Sequence, residues 1–276
     1  MGAIARNSDS GTMLVMSYLA HSVFVAATLG LLGAVLMPRP AAAADTDWRD
    51  IESRIEYAWY TEDSRDLARV ADRVTVLSSS DPLRNYYLAL TQLHQAQLSL
   101  AAATASGSAA RLPAAAQAAG ACISSADDAL AARPTDAELL ALQSLCMDVR
   151  TRARSLDVPF AASRGHAQMQ RALQLAPRNP RVRLLAAQLA YAAARSGPER
   201  AALLGSFQSA VEAFELERQG MERAPAWGGA EAWEGVAQIE LERGDAIAAR
   251  AALEHALLLV PDYTAAHRLL NHILTG

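Results

Sequence analysis

No lysine occurs in this chain of 276 residues: all 25 basic positions are arginine, set against 29 acidic ones. That absence removes every chemistry that needs a side-chain amine, including the Schiff base, the phosphate-binding P-loop and the lysine general base. Aromatic residues are scarce as well, 5% in a chain whose hydrophobic share is 52%. Alanine and leucine therefore supply most of the apolar surface, which suits helices better than strands. The net charge of −4 argues against a nucleic-acid footprint. Neither H-E-x-x-H nor G-x-S-x-G occurs, and Gly30 and Gly33 sit inside an apolar run rather than after a strand. His94, His166 and His255 stand alone within helical segments and read as packed or surface residues. His267 and His272 lie at i, i+5, which does not give the one-face spacing of a metal pair. Asp127-Asp128 and Glu215-x-Glu217 read as solvated helix faces, since a general acid and base need facing positions with different environments. The sequence thus predicts no catalytic residue, no cofactor and no metal site.

What is present begins with an uncharged stretch from Leu14 to Met37, followed by Pro38-Arg39-Pro40 and the small-residue run Ala41 to Ala44. This has the order of an export signal, with Ala42-Ala43-Ala44 as an A-x-A cleavage site and Asp45 as the mature start. The stretch is also long enough to span a bilayer, so an uncleaved anchor is the second reading, and membrane contact is expected only in that case. Cleavage removes two of the 25 basic residues, Arg6 and Arg39, and one of the 29 acidic ones, Asp9, leaving a net charge of −5.

Beyond Asp45 the apolar positions follow helical spacing, as Trp48, Ile51, Ile55 and Trp59 do at i, i+3, i+7 and i+11. Asp81-Pro82 reads as a helix start, and Thr135 with Glu138 as a capping box. The punctuation predicts eleven helices, over residues 46–61, 64–77, 82–103, 112–132, 137–154, 160–175, 180–195, 199–219, 229–242, 246–259 and 264–274. The alanine-, serine- and glycine-rich stretch Ala101 to Ala119 reads as a loop that interrupts the third and fourth helices. Pro134, Pro177 and Pro261 close similar Ala-Leu segments at intervals of 43 and 84 residues, the spacing of repeated helical hairpins.

The last interval carries the sharpest pattern. Trp233, Val236 and Ala237 stand in one helix, Gly244 in the turn, and Ala249, Leu253, Ala256 and Pro261 in and after the next. This resembles the tetratricopeptide repeat, W-x2-L-G-x2-Y followed by A-x3-F and P, with Glu240 where tyrosine is usual. Carried backward, the same frame puts Ala153, Gly165 and Ala172 at the small positions before Pro177. Before Pro134 it puts Cys122, Ala126 and Ala129 there, with Leu140 and Ser144 in the following helix. The run Ala172 to Val182 and the pair Trp227-Gly228 are similar to those of exported bacterial tetratricopeptide proteins of unassigned role. The resemblance implies an all-α solenoid of antiparallel helix pairs wound as a right-handed superhelix. Its degenerate hairpins would span 45–111, its clearer repeats 112–276, and a capping helix would come last.

Cys122 and Cys146 lie twelve residues either side of Pro134, at equal height in a hairpin that turns there. Both a disulfide and a pair of buried thiols fit that placement. In a stacked array the first helix of each pair lines the concave face. The frame then projects Arg181, Leu184, Gln188 and Tyr191 inward from one helix, Glu231, Glu234, Gln238 and Leu241 from another, and Arg268 and His272 from the last. The expected function is a non-enzymatic periplasmic scaffold that takes a protein or peptide partner on this face. The alternative is an envelope carrier of a small ligand, working with a transporter.

Overall fold

The computed structural model describes residues 47–154, 159–219 and 225–275, the side chains of 159–163 excepted. The leader expected over 1–44 and most of the loop expected at 155–159 lie outside these residues. Among the described residues there are twelve α-helices, a single 3-10 turn (Ala109–Arg111) and no strand. The helices are α1 (Trp48–Tyr60), α2 (Ser64–Thr75), α3 (Arg84–Ser106), α4 (Leu112–Ala132), α5 (Ala137–Ala153) and α6 (Pro159–Leu175). They continue as α7 (Pro180–Ala193), α8 (Gly197–Ala201), α9 (Leu204–Arg218), α10 (Gly229–Glu242), α11 (Ala246–Leu259) and α12 (Thr264–Thr275). No helix among them is long and apolar enough to cross a membrane.

Short polar side chains set six of the helix starts among the described residues. Asp47, Asp63, Asp136, Asn179, Ser196 and Asp245 each accept hydrogen bonds from backbone N–H groups of the first turn that have no partner within the helix. Pro180 occupies the first turn of α7, where no N–H is needed. Two expected starts are corrected. The cap of α5 is Asp136 rather than Thr135, and Glu138 leaves the capping role for a distant partner. The third helix begins at Arg84, because the Asp81 carboxylate is divided between the Leu83 N–H and the indole of Trp48.

The helices pair as α1 with α2, α3 with α4, α5 with α6, α7 with α9, and α10 with α11, and the second helix of each pair also packs on the first helix of the next. The first helices touch one another in series, whereas the second helices have no comparable contacts. The first helices therefore form an inner layer and the second helices an outer one. A single apolar core runs through the array from Ile51 to Ala266. This is an all-α, solenoid-like fold.

Alanine decides where the pairs are tightest. Ala96 and Ala103 of α3 and Ala115, Ala119 and Ala126 of α4 are all buried, and α3–α4 is the most extensive pair among the described residues. The low-complexity stretch is therefore not a long loop. Helix α3 runs on to Ser106, Gly107 closes it in the left-handed conformation at φ 60°, and one 3-10 turn leads into α4. Side chains without bulk let two long helices approach closely, and that contact supplies what the repetitive composition conceals. Cys122 and Cys146 form a disulfide across α4 and α5 with their Cα atoms 6.1 Å apart, which decides between the two states that the spacing left open.

The segment expected as one helix over 199–219 divides into α8 and α9. Within the last pairs, Val236, Ala237, Ala249, Leu253 and Ala256 are buried, and Gly244 turns the chain at φ 81°. Trp233 stacks on His255 with ring centres 4.4 Å apart, and Pro261 stands exposed just beyond α11. Helix α9 also comes close at Gly235, where a β-carbon would stand 2.3 Å from the ring of Phe207. Ser144 and Gly165, both expected at small positions, meet: the serine hydroxyl donates to the glycine carbonyl at 2.6 Å. In α12 only Ala266 is buried.

Candidate functional site

The inner layer is where charged side chains and aromatic rings collect, and its contacts join residues far apart in sequence. From α1, the Glu52 carboxylate accepts from the hydroxyl of Tyr87 at 2.6 Å and from the backbone N–H of Ala226 at 2.8 Å, although Glu52 is 5% exposed. Two turns further along, Trp59 and Tyr60 both donate to Glu231 of α10, the indole at 3.1 Å and the hydroxyl at 2.5 Å. The indole of Trp227 donates to the Tyr86 hydroxyl at 2.9 Å. At the rim, Arg268 of α12 meets Glu62 through two hydrogen bonds of 3.0 and 2.7 Å. Apart from Glu52 and Tyr87, these partners are 141 to 206 residues apart. The inner wall therefore closes on itself, with the first helix facing the last pair.

A second polar chain runs below this closure. Tyr86 donates to Glu138 at 2.7 Å, and the other oxygen of Glu138 accepts from Asn179 and from Arg181 Nε at 2.6 and 2.9 Å. The remaining nitrogens of Arg181 hold both oxygens of Glu217 at 2.9 and 2.6 Å. Arg181 is 4% exposed. Burial works against its charge, but the Glu217 hydrogen bonds and the field of Glu138 outweigh it, so its pKa stands above the ordinary arginine value. Every face of the guanidinium fork is used, which is what keeps a buried arginine tolerable.

The rings pack as a layer. Trp48 stacks on Tyr87 at 5.1 Å, Trp59 stacks on His94 at 4.2 Å, and His94 meets Trp227 in a T-shaped contact at 6.3 Å. Burial pushes the His94 pKa down to about 3, so this imidazole is neutral at physiological pH. Gly228, at φ 107°, is required by the same packing, since a β-carbon there would lie 2.7 Å from Phe214 and 2.9 Å from Leu184.

A cavity of about 630 Å³ remains beside the closure, bounded by α1, α7, α9, α10 and the end of α11. Glu52, Glu56, Glu217, Arg181, Phe214 and Trp233 are among its walls. Burial, with Glu231 and Glu52 nearby, raises the Glu56 pKa to about 8, and burial with Glu231 nearby raises that of Glu234 to about 7. Glu52 and Glu231 are also raised, by desolvation. A further cavity of about 540 Å³ lies between α5, α6, α7 and α9, with Met169, Leu173, Asp148 and Arg183 on its walls. Among the described residues no group of three or more His, Cys, Asp or Glu is placed to hold a metal ion.

The residues expected along the groove are distributed as follows. Arg181, Leu184 and Glu231 are buried and committed to the chain's own contacts. Gln188, Glu234 and Gln238 are half-buried. Tyr191 donates to Glu242 at 2.5 Å, beside Arg200, which holds the same carboxylate. Arg268 is engaged at Glu62, and His272 is exposed on α12. Glu52, Tyr86 and Tyr87 belong to the same constellation and had no place in the expected groove, while Glu138 was expected only as a capping residue and Trp227 only as half of a Trp-Gly pair. One signal for Glu52 was available: a carboxylate four residues after Trp48, on the same apolar stripe as Ile51 and Ile55. Glu217, expected on a solvated face, is exposed and also pairs with Arg181.

No protein-family model matches this chain, and no curated protein matches it.

Proposed function

We propose that this chain is an exported, non-enzymatic helical-repeat adaptor of the tetratricopeptide type, which holds a segment of a partner protein in the inner-wall cavity beside the closure. The observation that carries this reading is the composition of that cavity. Glu56, Glu215 and Glu217 line it together with Trp233 and Phe214, a combination that suits an apolar side chain flanked by a basic one. Glu52, Glu138 and Glu231 of the inner layer spend their lone pairs on internal donors.

The test places a photo-crosslinking side chain at Ser53, on the cavity wall, or at exposed Arg250 on the outer layer as control, in cells that make the native protein. A partner crosslinked from Ser53, absent from Arg250, and lost on the charge reversals Glu56→Arg and Glu215→Arg is the expected result. Equal labelling from both positions, or capture indifferent to the reversals, overturns the reading. The carrier reading draws on one observation, that cavities of 540 and 630 Å³ lie in the range that small molecules fill. Native mass spectrometry of protein taken from the envelope decides it: a retained small molecule supports a carrier, and ligand-free protein excludes one.

A further inference from the structure

Arginine is distributed unevenly along the chain. Between Val149 and Pro198 there are nine arginines and one acidic residue, Asp157, whereas the whole chain has 25 basic positions against 29 acidic ones. Asp157 lies outside the described residues. Four of the nine arginines are engaged: Arg181 and Arg183 hold Glu217 and Ser209 of α9, Arg152 pairs with Asp148 at 2.6 Å, and Arg195 lies beside Glu199. The side chains of the other five, Arg150, Arg154, Arg164, Arg171 and Arg178, make no hydrogen bond or ion pair among the described residues, and all but Arg150 are exposed. They are also grouped. Arg150 and the C-cap residue Arg154 stand one turn apart at the end of α5. Burial and the fields of Arg154 and Arg164 lower the Arg150 pKa; Asp127 acts the other way, and it already accepts from Gln143 at 2.6 Å. Arg171 stands seven residues beyond Arg164, on the same face of α6, and Arg178 lies in the turn that follows. The C-terminal end of a helix favours cations, which accounts for Arg150 and Arg154. It does not account for Arg164 and Arg171, on a helix without one acidic residue.

We propose that this outer face of α5 and α6 is a docking surface for an anionic phospholipid bilayer. Charge complementarity selects the class of partner. Five guanidinium groups lack a counter-ion in the chain, and a guanidinium can grip phosphate oxygens through two N–H groups at once. Shape selects the bilayer among anions. The arginines follow one outer helix over about 20 Å rather than converging on a pocket, so they match a surface of repeated charges better than one small anion. Leu175, four residues after Arg171 on the same stripe, is 44% exposed, an apolar side chain set among cations as on membrane-surface helices. From Arg164 to Leu175 there is no Phe, Tyr or Trp on which bases could stack. The acidity of the chain as a whole does not oppose docking, because at 0.1 M salt charges beyond about 10 Å are largely screened and the bilayer feels the face turned toward it. The uncharged stretch Leu14 to Met37, as export signal or as anchor, brings the chain to a membrane in either reading. This docking shares only the expectation of export with the adaptor reading; it uses the outer layer and leaves the inner cavity to a partner.

The test uses the chain from Asp45 to Gly276, which holds every described helix and the whole described core. It is co-sedimented with vesicles of equal parts phosphatidylglycerol and phosphatidylcholine, and with vesicles of phosphatidylcholine alone. Binding to the anionic vesicles, weakened by salt and absent from the neutral ones, is expected. Arg164→Gln together with Arg171→Gln is expected to weaken it about thirtyfold, the effect of two arginines at an anionic surface. Arg65→Gln together with Arg250→Gln makes the same charge change at exposed positions of α2 and α11 and is expected to weaken it less than about threefold, since those sites lie away from the face. All four positions are exposed, and helix content by circular dichroism checks that each variant is folded. No sedimentation with the anionic vesicles overturns the docking surface, as do equal sedimentation with the neutral ones and equal losses in the two double variants. Polyglutamate and duplex DNA are offered separately. If either binds, is lost in the Arg164, Arg171 variant, and vesicles are ignored, the bilayer is overturned and the face belongs to an acidic macromolecule. Neither result alters the crosslink expected from Ser53, so the two readings fail separately.

Discussion

The α3–α4–α5 region and the closure between α1 and α10 do the same mechanical task, holding helices of the inner layer together, with opposite means. The first is built from alanine and leucine and fastened by one covalent bond, with the small side chains of Ala96, Ala115, Ala119 and Cys122 fully buried beside large ones such as Leu90 and Leu142. The second joins helices that are 171 residues apart in sequence through a single carboxylate and two aromatic donors, over a layer of rings and half-served glutamates. Apolar contact is indifferent to pH and salt and is sensitive to volume. A buried polar layer is sensitive to each partner, because losing one leaves another without water or a bond. The array is thus divided into a part that is insensitive to the medium and a part that responds to it.

That contrast breaks most sharply at Arg181. Replacing it with alanine leaves Glu138 and Glu217 facing an empty buried position, and a loss of about 3–5 kcal/mol in denaturant unfolding is expected. Arg181→Met, which fills the volume without restoring the charge, is expected to lose less. On the insensitive side, the double variant Cys122→Ala, Cys146→Ala opens a loop with a sequence separation of 24. It is expected to cost about 3 kcal/mol while leaving the hydrogen-exchange protection of α1 unchanged. The aromatic layer supplies an acid limb. His94 has a depressed pKa in the folded state, so the unfolded chain takes up its proton first, and stability falls as pH drops from 6.5 toward 3. Between pH 6.5 and 5 this amounts to about 2 kcal/mol, and thermal unfolding of His94→Gln against wild type over that range is expected to lack it. The smallest effect belongs to the outer layer. Arg250→Ala removes a pair with Glu254 in which both side chains are more than half exposed, and a change within about 0.5 kcal/mol is expected.

Helix positions were legible before any coordinates, since the ends of α4, α10 and α11 coincide with the punctuation read from the chain. The errors have local causes. Competing oxygen acceptors next to one another, Thr135 and Asp136, made the cap of α5 ambiguous by one residue. The run Ala101 to Ala119 lacked the large apolar residues by which a packed helix is recognised, and its close fit to a neighbour was invisible. Pro198 together with Leu203 and Leu204 hid a break between a five-residue helix and the next.

The candidate site was read less completely, and the reason lies in range. Arg181, Glu231 and Glu234 were placed on the inner layer by the repeat frame, but nothing in their neighbourhood names Glu138, Glu217, Trp59 or Tyr60 as partners. A helix reports its own faces through a period of 3.6, and that is a property of adjacent residues. Where α1 arrives relative to α10 is the accumulated result of small rotations between successive pairs, and each rotation is fixed by contacts such as Phe207 on Gly235.

The sequence by itself determined the helices, their caps within a residue or two, the order of the pairs and the height at which the two cysteines stand, because each depends on side chains a few positions apart. Only the tertiary structure decided that the cysteines are bonded, that the inner wall closes on itself, and which carboxylates are satisfied from within the chain. Those outcomes depend on distances between atoms that the chain brings together only after every intervening pair has been packed.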